Sequence, residues 1–249
     1  MSNLTGLSTI TAPDLYSATA TPGEGLMIGQ LAWDGKTGKA FRYTLNGDVA
    51  LVKGNLLQEM IEDAGFVNMT VGTAGVVGDT YLQVTNHDVT ITQEGYKGGS
   101  IGVYTAGTVA IGDEYTIVGV GGTLTTGGAL KVYTDRPLRY AYTTSATVSM
   151  KKSPWSGVIQ APINTATGMC VGGAIYEIPA NYFGWVQTHG VFTALCDGST
   201  FAVASDIESN GDAAGAASVY ASGTAHARIG YSRTGNASAK GIPIFLQID

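Results

Sequence analysis

The chain has 249 residues, enough for one large β domain or two to three small ones. Only 13% of residues are charged, about half the usual quarter for a soluble domain. The formal net charge is -6, and basic residues are scattered singly apart from Lys151-Lys152. Direct nucleic-acid binding is therefore not expected, since it needs clustered Lys and Arg to neutralise phosphates. No run approaches the roughly 18 apolar residues of a membrane helix, so no membrane partner is expected.

From the N-terminus, Met1 to Gly25 lack periodicity and carry Pro13, Pro22 and many Ser and Thr. This predicts an extended arm (residues 1–25) that orders by lying on something else. Its first residues have neither a basic nor an apolar leader region, so no secretory signal is expected. Leu26–Trp33 and Ala40–Leu45, joined by the polar segment Asp34–Lys39, predict a hairpin. Gly54–Gly65 is the one helix candidate: Asn55 at the cap, Leu57, Met60, Ile61 and Ala64 on one face, and Gly65 as the stop. Residues 26–65 are thus expected to form a hairpin and a short linking helix.

The remainder has β character. Phe66–Val71, Tyr81–Val84, Val89–Ile91, Ser100–Tyr104, Glu114–Val120, Ala129–Tyr133 and Ala146–Met150 form a middle module over 66–150. Ser153-Pro154 marks its end. A C-terminal module over 151–249 holds Met169–Ile178, Tyr182–Gly198, Ala225–Arg233 and Ile242–Ile248. Within Tyr182–Gly198 a strand kinks or bulges at Gly190, and Asp197-Gly198 suits a tight hairpin turn into Phe201, Val203 and Ile207. The expected fold is all-β: tandem small β-sandwich or β-barrel modules, an extended N-terminal arm and one short helix.

Chemistry is sparse. His87, His189 and His226 each lack a second ligand at metal spacing, so no metal and no cofactor are expected. Cys170 and Cys196 lie in apolar strands and read as buried thiols. Gly98-Gly99-Ser100-Ile101-Gly102 matches G-x-S-x-G, but β residues follow where the elbow needs a helix. Gly119–Gly122 lacks the third glycine and the helix of a dinucleotide loop. Asp113 and Glu114 point to opposite faces of a strand, which suits solvation, and Asp206 with Glu208 reads as a solubilising edge. Tyr140 and Tyr142 share a strand face. The aromatic residues read as core and cross-strand pairs. No catalytic residues are assigned, and no enzyme is expected.

Three segments carry a resemblance. They are Gly29–Tyr43 with its Asp34-Gly35-Lys36 turn and Phe41-Arg42-Tyr43 strand, Tyr96-Lys97-Gly98-Gly99, and the run from Pro154-Trp155-Ser156-Gly157-Val158 to Tyr182-Phe183-Gly184-Trp185-Val186-Gln187. Together they resemble structural virion proteins of tailed bacteriophages, of the kind found in cyanophage-like and other aquatic phages. In that C-terminal module a Y-G-W-V-Q-x-x-G strand is usual; here Phe183 is inserted, which shifts Tyr182 to the other face if the register moves by one.

The resemblance implies a non-enzymatic head decoration (cement) protein that binds the outer surface of the assembled capsid and stabilises it. Its implied partners are the major capsid protein and itself, as a homotrimer. Its implied location is the virion surface, with the host cytoplasm during assembly. The alternative is a tail fibre, spike or other receptor-binding, carbohydrate-recognising component. The candidate capsid or subunit contacts are Leu4, Leu7, Ile10, Leu15 and Tyr16 on the arm, with Tyr182 and Phe183 at the inserted position.

Overall fold

Alternating apolar and polar residues, β-branched side chains and 36 glycines favour pleated strands with tight connections, and among the described residues the fold is all-β, with no helix longer than a 3-10 turn. The computed structural model describes residues 14–85, 91, 95–105, 112–125, 127–209, 211–221, 227–237 and 241–249. In chain order the first strands are β1 (Leu31–Asp34), β2 (Lys39–Asn46) and β3 (Leu56–Gln58). Next come β4 (Met69–Thr73), β5 (Tyr81–Thr85), β6 (Ser100–Thr105), β7 (Glu114–Gly122), β8 (Ala129–Thr134) and β9 (Thr147–Lys151). Then follow β10 (Ser156–Gln160), β11 (Cys170–Ala174), β12 (Phe183–Leu195), β13 (Thr200–Phe201) and β14 (Asp206–Glu208). The last are β15 (Ser218–Val219), β16 (Arg228–Ser232), β17 (Asn236–Ala237) and β18 (Gly241–Gln247).

The strands fall into two units, one of residues 62–153 and one of residues 1–61 with 154–249. The first is a closed barrel in the order β4-β5-β8-β7-β6-β9. Its inward residues alternate along the strand and shift by one where the register with β8 slips between Ile117 and Gly119: on β7, Tyr115, Ile117 and Val120 are buried while Glu114, Thr116 and Val118 face out. One apolar cluster fills it, including Phe66, Met69, Leu82, Ile101, Leu130, Val132 and Met150. On its outer face Tyr81 pairs with Tyr133 across strands, with ring centroids 6.0 Å apart.

The second unit is built on β2 and β12, antiparallel from Phe183↔Leu45 to His189↔Ala40. The pairings β2–β10, β10–β3, β3–β11, β11–β12 and β12–β2 close a ring of five strands. Its apolar filling includes Leu57, Val158, Val171, Ala174 and Val186. Beyond the ring, β12 continues along β18, and β16, β14 and β15 extend that sheet. Phe192, Ala194, Ile207, Ile229, Ile242, Ile244 and Leu246 form the apolar layer of this part.

Several expectations change. Gly54–Gly65 is not a helix: it holds strand β3 and one 3-10 turn, Ala64–Phe66, capped by Asp63. Leu56, Leu57 and Gln58 are all buried because β3 is flanked by both β10 and β11, and that pairing overrides helix propensity. The predicted hairpin forms as β1–β2 with Asp34 opposite Lys39. It is not a separate module, since β2 joins the sheet of the C-terminal strands.

Asp197-Gly198 turns the chain, with Asp197 Oδ1 accepting from Ser199 N–H at 2.8 Å, but no hairpin follows. β12 pairs with β18, and β13 pairs with β17. Gly190 does mark the kink: its φ is +89°, and a Cβ there would sit 3.1 Å from the Gly38 carbonyl oxygen. Tyr140 and Tyr142 do not share a strand face. Tyr142 is buried at an isolated bridge to Gly75, and Tyr140 is exposed.

Candidate functional site

The predicted contact residues separate sharply. Leu4, Leu7 and Ile10 lie outside the described residues. Leu15, 7% exposed, is taken up by the chain's own core beside Ala32, Phe41, Tyr43 and Trp185. A 3-10 turn at Asp14–Tyr16 turns it inward and leaves Tyr16 outward, 59% exposed and edge-on to Tyr176. Thr19 and Phe183 exchange backbone hydrogen bonds of 3.0 and 2.8 Å. The Tyr176 hydroxyl donates to the Ser17 carbonyl at 2.8 Å and accepts from Trp185 N–H at 3.2 Å. Burial pushes that phenol up to about 12. Residues 14–19 thus lie on their own β12.

Tyr182 and Phe183 are both half-buried and turn to opposite faces. Tyr182 packs on the filling of the five-stranded ring. Phe183 stacks on Tyr43, with centroids 6.0 Å apart and an interplanar angle of 15°. Trp185, two residues on, shares the Phe183 face and is 2% exposed. Trp155 is half-buried, with the Arg42 guanidinium 4.6 Å from its ring centroid. Arg42 in turn pairs with both carboxylate oxygens of Asp249, at 2.9 and 3.0 Å.

The densest charged cluster was not visible in sequence. Asp113 is 3% exposed, not solvated as expected. Its carboxylate accepts from the Tyr115 hydroxyl, from the Tyr142 hydroxyl at 3.0 Å, and from the Arg139 guanidinium. Burial raises the carboxyl, but the bonds from Tyr115, Arg139 and Tyr142 and the charge of Arg139 together hold it below the usual range. Burial likewise raises the Tyr142 phenol. Arg139 lies 26 residues from Asp113, so no local spacing announces the cluster. The one available signal was an aspartate two residues before an inward tyrosine. With every partner internal, the cluster fixes the end of the barrel and offers no free base.

Other candidates resolve as follows. Glu208 is 5% exposed on β14, which lies between β16 and β15, so Asp206 and Glu208 do not form a sheet edge. Asp206 pairs with Arg228 at 3.0 Å. Ser100 opens β6, and Gly119–Gly122 lie within β7, so neither motif has a helix beside it. Cys170 and Cys196 are free thiols, and burial pushes Cys170 up to about 11. His189 lies between Trp33 and Phe245, and its Nδ1 is 3.1 Å from the Asp249 carbonyl oxygen. His87 and His226 lie outside the described residues. Among the described residues no group of three His, Cys, Asp or Glu could hold a metal ion. Among them, too, no helix is long and apolar enough to cross a membrane.

Large apolar side chains remain at the surface. Val49 and Val52 are exposed on either side of the fully buried Leu51. Met60, Ile61 and Met169 are exposed in one neighbourhood, where Glu59 N–H donates to the Met169 carbonyl at 2.9 Å and Met169 N–H to Glu59 Oε1 at 2.9 Å. On the barrel, Val76 and Val77 are exposed in the connection before β5. No protein-family model, curated protein or solved structure matches the chain.

Proposed function

We propose that the chain is a non-enzymatic virion structural protein, a head decoration or cement protein that binds the outer surface of an assembled capsid. The observation that carries this reading is the surface: large apolar residues such as Val49, Val52, Ile61 and Met169 stay exposed on a chain with only 13% charged residues. Where such residues join into a contiguous patch, they mark contact with other proteins. The sequence resemblance supplies the identity of the partners: the major capsid protein and further copies of the chain, arranged as a trimer. A protein that binds only the assembled lattice stabilises it by mass action, and closed symmetry lets one patch serve every copy.

Copy number and position in a virion density map test this directly. Several hundred copies on the head are expected, and a handful at the tail would overturn the reading. Recognition of carbohydrate at the tail is the competing outcome. Trp185 is in the core and Trp155 lies against Arg42, whereas Trp33 is exposed on β1. A glycan array that shows reproducible binding lost on Trp33→Ala would favour the receptor-binding role.

A further inference from the structure

A cleft of about 550 Å³ lies along β12; Tyr16, Lys39, Lys53, Ile175, Val191 and Thr193 are among its lining residues. It exists because β12 loses a neighbour. On one side β18 pairs with β12 from His189 to Leu195. On the other side β2 pairs only as far as His189↔Ala40. At the far end Gly54 closes the gap, its carbonyl accepting from Leu195 N–H at 2.7 Å. Between those two points no strand pairs with this edge among the described residues.

The direction of the open backbone groups follows from Pro243, the cross-strand partner of Thr193. Proline has no N–H, and the Pro243 carbonyl accepts from Arg233 N–H at 2.9 Å, on the side away from β12. The Thr193–Pro243 pair is therefore of the non-hydrogen-bonded kind, and the Thr193 N–H and C=O point into the cleft. Val191 points the same way, two residues earlier. Its carbonyl takes the Gln187 side-chain amide at 2.9 Å, a side chain standing where a strand would be. Lys39 and Lys53 stand along the gap, and neither forms an ion pair among the described residues.

We propose that this gap is a strand-addition site for an extended acidic segment of a partner protein. The segment's backbone pairs with the Val191 N–H and with both backbone groups of Thr193, its carboxylates meet Lys39 and Lys53, and an apolar side chain lies against Ile175 and Tyr16. Charge selects the occupant: two unpaired lysines repel a basic strand and are neutralised by an acidic one. The site does not depend on placing the protein on a virion.

The test uses the full chain and a capped heptapeptide of alternating valine and glutamate, with a valine–lysine peptide of equal length as control. In amide NMR the largest shifts are expected at Val191 and Thr193, with the glutamate peptide only. Reversing both charges (Lys39→Glu with Lys53→Glu) is expected to weaken glutamate-peptide binding by about tenfold or more at low salt. Thr193→Pro removes the inward N–H without touching the β18 ladder, and binding is expected to be lost. If that variant misfolds, a backbone N-methylated glutamate peptide on the unaltered chain makes the same test, and it must fail to bind. Equal binding of the two charge types, retained binding of the N-methylated peptide, or Val191 and Thr193 amides already protected from exchange in the free chain would each overturn the proposal.

Discussion

The two units are both closed rings of strands, yet they are assembled in opposite ways. The barrel of residues 62–153 is one continuous stretch, and three of its six pairings (β4–β5, β6–β7 and β7–β8) join strands adjacent in sequence. In the five-stranded ring only β11–β12 does so, and the β2–β12 contact spans 140 residues at Thr44–Gly184. Among the described residues, the barrel has one apolar cluster with a buried carboxylate at Asp113, whereas the other unit divides its core among three clusters. Local pairings close at small entropic cost, and distant ones need the intervening chain settled first. The insertion point fits this: β3 and β10, which precede and follow the barrel segment, pair antiparallel at Ile159↔Gln58 and Gln160↔Leu57. A short turn could join them as well as a barrel does.

The largest test removes the barrel. With residues 62–153 replaced by a short glycine–serine turn, the five-stranded ring is expected to fold, and the isolated 62–153 segment is expected to fold alone. All three tryptophans (Trp33, Trp155 and Trp185) lie outside the barrel, so tryptophan emission reports the other unit only. Loss of the native tryptophan signal on excision would show that the two depend on each other. Next in size is Trp185→Ala, which empties the position between Tyr43, Phe41 and Leu15. It is expected to destabilise that unit by about 3–5 kcal/mol, a cost typical of removing a buried aromatic side chain. The barrel's own transition, followed by amide exchange at its buried strand residues Ile117 and Val132, should stay where it is. A shift of both transitions in denaturant would merge the units into one cooperative body.

The same contrast explains what the sequence made legible. Strands β7 and β8, the left-handed backbone at Gly190 and the Asp34 turn are written in adjacent residues, and each appears where the residues place it. β3 was missed because its apolar residues also fit a helix, and only the flanking β10 and β11, about a hundred residues on, decide between them. The Asp113 cluster was missed for a similar reason: a carboxylate beside a strand looks solvated until a distant arginine and tyrosine reach it. The open edge of β12 was equally hidden, since it is defined by where β2 stops pairing.

Asp113 gives the third test. Asp113→Asn keeps the shape but removes the charge that Tyr115, Tyr142 and Arg139 bond to, and is expected to cost the barrel about 1.5–3 kcal/mol, the range for hydrogen bonds to a charged group. The pH dependence has a definite sign. A carboxyl held below its unfolded value contributes stability that is complete above about pH 4 and is lost as the pH falls through the depressed folded value. The barrel's stability, read by amide exchange at Ile117 and Val132, should therefore fall on acidification below about pH 4 in the parent chain, and less steeply in the asparagine variant. Tryptophan-reported stability should keep its own acid sensitivity in both, because Arg42 and other neighbours likewise hold Asp249 low against the upward push of burial. Equal acid profiles for parent and variant barrels would remove Asp113 from the account.

The smallest effect is expected at Gly190, and it bears most closely on how the long strand changes partners. β12 leaves β2 and takes up β18 at this point, and the irregular register between Gln187 and His189 sits just before it. A left-handed backbone at φ +89° lets the strand bend there while Gly38 and Lys39 pass close by. An alanine would have to hold that conformation with its methyl 3.1 Å from the Gly38 carbonyl oxygen. The expected cost is about 1–2 kcal/mol from backbone strain, read as an earlier tryptophan transition with amide exchange at the barrel's Ile117 and Val132 unchanged. If Gly190→Ala is neutral instead, the strand must be able to straighten, and the open edge from Val191 to Thr193 would lose the feature that creates it.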